Sequence, residues 1–362
     1  MAGRQVSYRQ DARWFLERIE GERARFVFAD RDALSAEPFL DHRWSSEGLR
    51  QAFAPLAEVE DTPPAPVQVH FLWHTSFCRS TLIAGCLDWP GRCLSLREPW
   101  VLVHLADLKR ASALARRPRL ASAVFGLIGR RFHPQEVVLI KPSNGANTLI
   151  PEAASATSGK MLMLHAGQRQ FLVSMVKNGG SQARFVREML LVVLADRRNR
   201  QIMPADELLR LTDLQAAALL WQIQTAHLRQ AAQHLGERAA TLDAETFLED
   251  PKRALLAVDG FYGLDLGPEV IDLIMQGSKL KQDSKRAGVF ESKDDLVQAV
   301  EALTGSDIDR AIAWSRKATG QQETTPMPQP LLGHEQSNLA ATHGVGWAVP
   351  QPRAFKGAAP ST

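Results

Sequence analysis

The chain has 362 residues, of which 45% are hydrophobic and 23% charged, and its formal net charge is +3. This composition is typical of a globular protein with a sizeable core, and the net charge is too small to indicate nucleic-acid binding. The N-terminal stretch is charged and no run approaches about 18 apolar residues, so we expect neither a signal peptide nor a membrane span. Three cysteines without CxxC spacing favour reduced thiols in the cytoplasm over disulfides or zinc.

The sequence predicts three parts. Residues 1–60 are polar and mixed, with a short strand and turn in RFVFADRDAL, and we expect an N-terminal extension that packs on the core. A Pro-rich break, DTPPAP, opens the main domain, which we place at residues 61–320. Residues 321–362 are rich in Pro, Gly, Thr and Gln and lack apolar periodicity, which predicts a disordered tail.

Short apolar runs alternate with helical segments through the main domain. The runs lack polar alternation, as expected of parallel strands that are buried on both faces. The predicted strands are Val67–Trp73, Cys93–Leu96, Val137–Lys141 and Met161–His165, and the predicted helices are Thr81–Leu87, Trp100–Arg116, Gln168–Val176 and Thr212–Leu235. This rhythm predicts a three-layer α/β fold with a central parallel sheet and a helical C-terminal part.

The first predicted strand runs into the polar turn HTSFCRST and then into a helix. Such a turn presents unpaired main-chain N–H groups and the positive end of the helix dipole, which together suit an anion. The turn adds the hydroxyls of Ser76, Ser80 and Thr81 and the guanidinium of Arg79, but it lacks the motif GxxxxGK[ST]. The stretch is therefore either a phosphate site built from other residues or an ordinary helix start with Ser80 or Thr81 as N-cap.

Four segments, in order, resemble the P-loop sulfotransferase family. They are HTSFCRSTLIAGCLDWPGRCLSLREPWVL, EVVLIKPSN, MLMLHAGQRQFLVSMVKNGG and LDAETFLEDPKRALLAVDGFYGLDL, spread over Val67–Leu266. The resemblance implies a P-loop NTPase-like α/β fold of the bacterial sulfotransferase-like type. It also implies a co-substrate, 3′-phosphoadenosine 5′-phosphosulfate, and no metal. The reaction implied is transfer of the sulfuryl group to a hydroxyl or amine of an unidentified acceptor.

The same resemblance assigns the 5′-phosphosulfate to the loop Thr75, Ser76, Phe77, Cys78, Arg79, Ser80 and Thr81. Ser80 and Thr81 keep both hydroxyls of the family pattern. Cys78 replaces its serine, Arg79 its glycine and Phe77 its loop cation. Arg79 or His74 is a candidate for the missing cation.

Two residues are predicted to carry the chemistry. Lys141 ends the strand VVLIK, so its ammonium should reach the carboxyl edge of the sheet, where ligands bind in this architecture. Cytosolic sulfotransferases place a histidine two residues later, but here that position is Ser143. In the tyrosylprotein sulfotransferases a glutamate after the second strand is the base, and Glu98 matches its position. We therefore predict Glu98 as general base and Lys141 as the cation that stabilises the sulfuryl group. The alternatives are that Glu98 is an acid that stabilises the start of a helix and that Lys141 is a solvated residue at the end of a strand.

The resemblance also assigns the 3′-phosphate to a serine, which is Ser174 here, and to an arginine eight positions earlier, which is Ala166 here. Arg169, with Arg184 and Arg187 as alternatives, is predicted to supply the missing charge. Lys285 and Arg286 resemble the basic C-terminal motif that closes over the nucleotide, although a charge run of this kind also suits a solvated surface.

Two further predictions come from the residues alone. Cys86 and Cys93 are expected to be buried, whereas the turn should expose Cys78 at a helix N-terminus with a lowered pKa and a reactive thiol. His227 and His234 could share one helix face, but two such residues do not make a metal site.

The sequence is compatible with three functions. The first is an active sulfotransferase with Glu98 and Lys141 at the reacting centre. The second is a binding or interaction protein that keeps the fold and has lost catalysis, as Phe77, Arg79 and Ala166 suggest. The third is a P-loop kinase that uses ATP, against which the missing loop lysine and glycines argue.

Overall fold

The computed structural model describes residues 8–63, 69–177, 179–277, 294–320 and 326–332. It contains a small antiparallel sheet in the order β1-β2-β3 and a five-stranded parallel sheet. The first sheet comprises β1 (Trp14–Glu20), β2 (Arg23–Phe28) and β3 (Gln51–Pro55). The second comprises β4 (Val69–His74), β5 (Cys93–Arg97), β6 (Val137–Lys141), β7 (Met161–His165) and β8 (Ala239–Asp243).

The helices follow the strands in a βαβ pattern and then accumulate toward the C-terminus. They are α1 (Arg31–Ala36), α2 (Leu56–Val59), α3 (Ser80–Leu87), α4 (Trp100–Arg110), α5 (Leu120–Ile128), α6 (Ile150–Ala156), α7 (Gln168–Lys177), α8 (Gly180–Leu194), α9 (Ala205–Leu209), α10 (Asp213–Leu235), α11 (Ala244–Glu249), α12 (Pro251–Tyr262), α13 (Gly267–Gln276) and α14 (Asp294–Thr319). None of the described helices is long and apolar enough to cross a membrane.

The four predicted strands are all present and pair in parallel, so the predicted fold class is confirmed. Val67 lies outside the described residues, and the first strand is seen from Val69. The helix predicted at Thr212–Leu235 begins after Thr212, which caps it together with Gln215. The fifth strand, Ala239–Asp243, was not predicted, because its apolar run is short and follows a helix without a clear turn signal.

Alternate residues of each parallel strand point to opposite faces of the sheet and belong to two separate apolar clusters. Phe71 and Ile140 pack with α4, α5 and α6, whereas Leu72 and Leu139 pack with α3, α12 and α13. The parallel sheet is therefore the middle of three layers, and its strands are apolar on both faces for that reason. A third apolar cluster joins α7, α8, α10 and α14.

The strand order β5-β6-β4-β7-β8 places β4 at the centre of the sheet. The chain leaves β4 through α3 on one face, whereas α4, α5 and α6, which follow β5 and β6, lie on the other face. Ligands in open α/β sheets bind at the carboxyl ends of strands where the connections diverge in this way. The turn after β4 lies at that point.

The parts outside the parallel sheet also contact it. Residues of β1, β2 and β3 share one apolar cluster with α4 and α5, so residues 8–60 pack on the main domain. In the C-terminal segment predicted to be disordered, residues 326–332 are described, and Leu331 and Gln329 form main-chain hydrogen bonds with Thr241 of β8.

Candidate active site

The turn after β4 has the backbone of an anion-binding loop. Phe77 and Arg79 adopt left-handed conformations, with φ of 57° and 64°. Left-handed residues within a turn point neighbouring N–H groups toward one side, and glycine usually occupies such positions. Arg79 thus holds the conformation expected of the glycine it replaces. It is also the N-cap of α3, so the alternative prediction of Ser80 or Thr81 as N-cap was wrong.

Two side chains from other elements fix Ser76. Its N–H donates to Gln224 Oε1 of α10 at 3.1 Å, and its hydroxyl accepts from Asn144 Nδ2. Thr75 is fully buried, and its carbonyl accepts from the Cys78 thiol at 2.9 Å. The loop is therefore held in place by α10 and by the segment after β6.

Cys78 is buried, and Phe77 is half-buried at the edge of an apolar cluster. Burial raises the pKa of the Cys78 thiol, and the side chain is 1% exposed, so the prediction of an exposed, reactive thiol was wrong. Cys86 and Cys93 are buried and free, as predicted. Phe77 packs edge-on against Phe171 at 5.1 Å between ring centres, so the position of the family's loop cation is part of an apolar contact.

The structure brings Glu98 and Lys141 together. Glu98 follows β5 with a left-handed φ of 57°, and its N–H donates to the Lys141 carbonyl at 2.6 Å. The Lys141 ammonium donates to Glu98 Oε1 in an ion pair. Because Lys141 is fully buried and the Glu98 side chain is 14% exposed, the carboxylate lies between the ammonium and the solvent.

A second cation reaches Glu98 from the N-terminal extension. Arg43 Nη2 lies 3.0 Å from Glu98 Oε2, and its Nε donates to Asp41 Oδ1 at 2.8 Å. The Arg43 guanidinium stacks on Phe39 at 3.5 Å from the ring centre. Asp41 and Phe39 therefore hold Arg43 against the free oxygen of the Glu98 carboxylate.

These charges set the ionisation of the site. Burial alone would raise the pKa of Glu98, but Lys141, His74 and Arg43 lower that pKa to about 2. Burial and then the nearby Lys141 ammonium lower the pKa of His74 to about 3. Glu98 is therefore an anion and His74 a neutral ring at neutral pH.

A cavity of about 550 Å³ opens in front of the loop. Ser76, Arg79, Ser80 and Glu98 lie on its polar side. The apolar part of the lining consists of Phe39, Phe77, Trp100, Val103, Phe185, Met189 and Val192. Ser143, in the position where cytosolic sulfotransferases place a histidine, also lines the cavity. Thr75, Thr81 and Lys141 lie behind this surface.

The residues predicted for a 3′-phosphate are not in the cavity wall. Arg169 pairs with Glu301 at 2.7 Å and Asp309 at 2.6 Å of α14, and Ser174 lies on the same helix, α7. The alternatives are also engaged, since Arg184 pairs with Glu188 and Arg187 with Asp213. Lys285 and Arg286 lie outside the described residues.

Sequence reasoning missed three residues that build the site, namely Arg43, Asn144 and Gln224. Asn144 belongs to the segment IKPSN, where its amide three positions after Lys141 was the available signal. Arg43 and Gln224 lie in segments without a motif and reach the site through tertiary contacts at separations of 55 and 148 residues.

No protein-family profile matches the chain, and no curated protein does so. Among solved structures, a sulfotransferase domain from the curacin biosynthetic pathway aligns with 73% of this chain and 94% of that chain, at 13% sequence identity and a TM-score of 0.42. Within the described residues, no group of three or more His, Cys, Asp or Glu side chains is arranged to hold a metal ion.

Proposed function

We propose that the protein is a sulfotransferase that moves a sulfuryl group from 3′-phosphoadenosine 5′-phosphosulfate to a hydroxyl or amine. The observation that carries the proposal is the ionised Glu98 carboxylate, which shares one cavity wall with a strand-to-helix loop of anion-binding form. The four-segment resemblance supports the same reaction. When bound, the co-substrate supplies an activated sulfuryl group on a phosphate leaving group.

The residues of the cavity fit the phosphosulfate end of this co-substrate. Arg79 and Ser80 present a guanidinium and a hydroxyl beside the N-terminus of α3, where anions are favoured. The described residues predicted for the 3′-phosphate form no such cradle, because Arg169 is paired with Glu301 and Asp309 of α14. We therefore assign the phosphosulfate end to Arg79, Ser80 and the loop backbone, and make no assignment for the 3′ end.

Glu98 would accept the proton of the acceptor. Its carboxylate is ionised and faces the cavity, but a pKa of about 2 makes it a weak base while Lys141 and Arg43 both contact it. Lys141 has no cavity surface of its own, so its ion pair with Glu98 must open before the ammonium can reach a bound anion. Opening that pair also raises the basicity of Glu98, which links the two roles.

The apolar lining of the cavity indicates the kind of acceptor that would fit. Trp100, Phe185 and Met189 give the cavity large apolar side chains, and Phe185 lies 6.1 Å from Phe77 of the loop, measured between ring centres. These side chains suit an acceptor whose hydroxyl or amine is attached to an apolar body. Phenols and aliphatic alcohols are therefore the first acceptors to screen, with a sugar as the contrasting case.

The first test is a thermal-shift titration with 3′-phosphoadenosine 5′-phosphate, with ATP and AMP as controls. A ligand at about 100 times its Kd adds roughly 2.7 kcal/mol to the free energy of unfolding. We expect a rise in Tm with the 3′-phosphorylated nucleotide alone. No rise at millimolar concentration contradicts the proposal, and a rise with ATP that requires magnesium would favour a kinase.

The second test is sulfuryl transfer by Glu98→Gln, which keeps the shape of the side chain and removes its charge. We expect turnover to fall by about 10²-fold or more, with nucleotide binding retained. Glu188→Gln is the matched control, because Glu188 lines the same cavity and pairs with Arg184 at its rim. Equal turnover in wild type and Glu98→Gln would remove Glu98 from the mechanism.

A second function is favoured by specific contacts. Phe77 packs on Phe171 at the position where the family has a cation. The Ser76 N–H donates to Gln224 Oε1 and is therefore already hydrogen-bonded within the protein. These contacts suit a protein that keeps the fold as a binding module without transfer. That function predicts nucleotide binding with no transfer to any acceptor of the screen, whereas transfer to one of them would exclude it.

A further inference from the structure

A second cavity lies at the opposite edge of the parallel sheet from the candidate active site. It has a volume of about 330 Å³ and lies between α6, the C-terminal half of α10 and the turn after α10. Arg238, in its wall, directly precedes β8, so this cavity is near the amino ends of the strands. It shares no lining residue with the first cavity.

The lining of this cavity is basic and contains no Asp or Glu. Arg238 is held in place, since it donates to the carbonyls of Ala154 at 3.2 Å and Thr157 at 2.6 Å at the end of α6. Arg198 is exposed at the rim. The carboxylates of Asp196 and Glu152 act on its charge from outside the cavity lining, but no ion pair joins either of them to Arg198 within the described ranges. Two guanidinium groups without a carboxylate in the same wall favour an anionic ligand.

His227 supplies a hydrogen-bond acceptor in the same wall. It is 8% exposed, and its Nε2 lies 3.1 Å from Asn199 Oδ1. Asn199 Nδ2 donates to the Val193 carbonyl at 2.6 Å, which fixes the amide so that Oδ1 accepts and Nε2 carries the proton. Burial holds the pKa of His227 well below its usual value, so the ring is neutral. Its Nδ1 is then a lone pair without a partner among the described residues.

The rest of the wall is largely apolar. Pro151 and Ala154 of α6 face Ala231 and Leu235 of α10 across the cavity. A ligand that fits these features has an anionic group, a compact apolar body and a hydrogen-bond donor.

We propose that this cavity binds a small hydroxylated organic anion, with its carboxylate on Arg198, its hydroxyl donating to His227 Nδ1 and its body between α6 and α10. The site is independent of the proposed sulfuryl transfer. It gives a role to His227, one of the two α10 histidines that line this cavity.

Isothermal titration calorimetry with 4-hydroxybenzoate tests the proposal. Benzoate lacks the donor and 4-hydroxybenzyl alcohol lacks the charge, so both should bind about tenfold or more weakly. Arg198→Gln should raise the Kd for 4-hydroxybenzoate by about tenfold or more. Arg197→Gln, the matched control, removes a charge from the same exposed turn but outside the cavity, and should leave the Kd within about twofold.

A second variant tests the hydrogen bond from the ligand hydroxyl to His227 Nδ1. In His227→Gln the amide nitrogen replaces Nε2 as donor to Asn199, but no acceptor remains at the Nδ1 position. We expect this variant to bind 4-hydroxybenzoate and benzoate with equal Kd values. Absence of saturable binding of 4-hydroxybenzoate to the wild type up to about 10 mM would overturn the proposal, as would a Kd that Arg198→Gln leaves unchanged.

Discussion

At the scale of single residues, Glu98 is the most constrained side chain of the candidate site. A left-handed φ is uncommon outside glycine, Asn and Asp, and it persists here because neighbours fix it. Its N–H is bound to the Lys141 carbonyl, and its two carboxylate oxygens are bound by Lys141 and Arg43. These three contacts hold the backbone of Glu98 in its strained conformation.

The ionisation of Glu98 predicts a pH effect on stability. Its pKa is about 2 in the folded protein against an ordinary 4.5. A lowered carboxyl pKa stabilises the fold above the unfolded value, and this contribution is lost as the pH falls from about 4.5 toward 2. Between about pH 5.5 and pH 3.5 we expect the wild type to lose about 1 kcal/mol more stability than a Glu98→Gln/Lys141→Met double variant, measured by urea unfolding.

The double variant is the informative reference because it removes both charges. Lys141→Met alone leaves the Glu98 carboxylate with Arg43 as its remaining ion-pair partner, and Glu98→Gln alone leaves a buried ammonium without a counter-ion. We expect each single variant to be less stable than the double variant. Parallel pH curves for the wild type and the double variant would show that Glu98 has an ordinary pKa.

At the scale of elements, the end of α4 shows how a helix stops without the usual signal. Ser112 has a φ of 60°, its N–H donates to the Lys109 carbonyl, and the Ala113 N–H donates to the Leu108 carbonyl. These two bonds are the pattern of a Schellman motif, whose left-handed position glycine normally fills. The helix was predicted to run to Arg116, and it ends at Arg110 because Ser112 does what a glycine would do.

Ser112→Gly should therefore stabilise the protein. Glycine adopts the left-handed conformation without the cost that a Cβ incurs, about 1 kcal/mol. Ser122→Gly is the matched control, because Ser122 lies inside α5, where glycine should cost roughly 0.5–1 kcal/mol. Urea unfolding of both variants measures the two changes, and a Ser112→Gly protein that is less stable than wild type would show that the serine side chain itself holds the turn.

The elements also show what the sequence could predict. Buried parallel strands are short apolar runs, so β6 and β7 were located to the residue. The Thr212 cap and Gly236 bracket α10 because their signals are local. The loop and the proximity of Glu98 to Lys141 were predictable from the sequence, because Lys141 ends one strand and Glu98 follows the neighbouring strand. Arg43 and Gln224 were not, because nothing near them in the chain reports which distant group they contact.

At the scale of the whole molecule, the N-terminal extension is joined to the main domain by buried ion pairs. Arg31 of α1 pairs with Glu136 at 2.6 Å, next to β6, and with Asp88 at 3.0 Å, at the end of α3. The Asp88 and Glu136 side chains are 1% and 0% exposed. The extension therefore neutralises two carboxylates of the main domain, in addition to bringing Arg43 to the candidate site.

Arg31→Met should destabilise the entire chain. It removes the cation that Asp88 and Glu136 share, and of the described residues only Arg97, 3.9 Å from Asp88, still forms an ion pair with either carboxylate. Loss of one partner from a buried ion pair typically costs about 3–5 kcal/mol. Because the extension shares an apolar cluster with α4 and α5, we expect a single cooperative urea transition at lower midpoint, seen equally by circular dichroism and tryptophan fluorescence. Arg13→Met, whose partner Asp11 lies in an exposed pair, should leave the midpoint unchanged. Two separate transitions in Arg31→Met would instead mean that residues 8–60 fold apart from the sheet, and the contacts of Arg43 with Glu98 would then form only after both parts had folded.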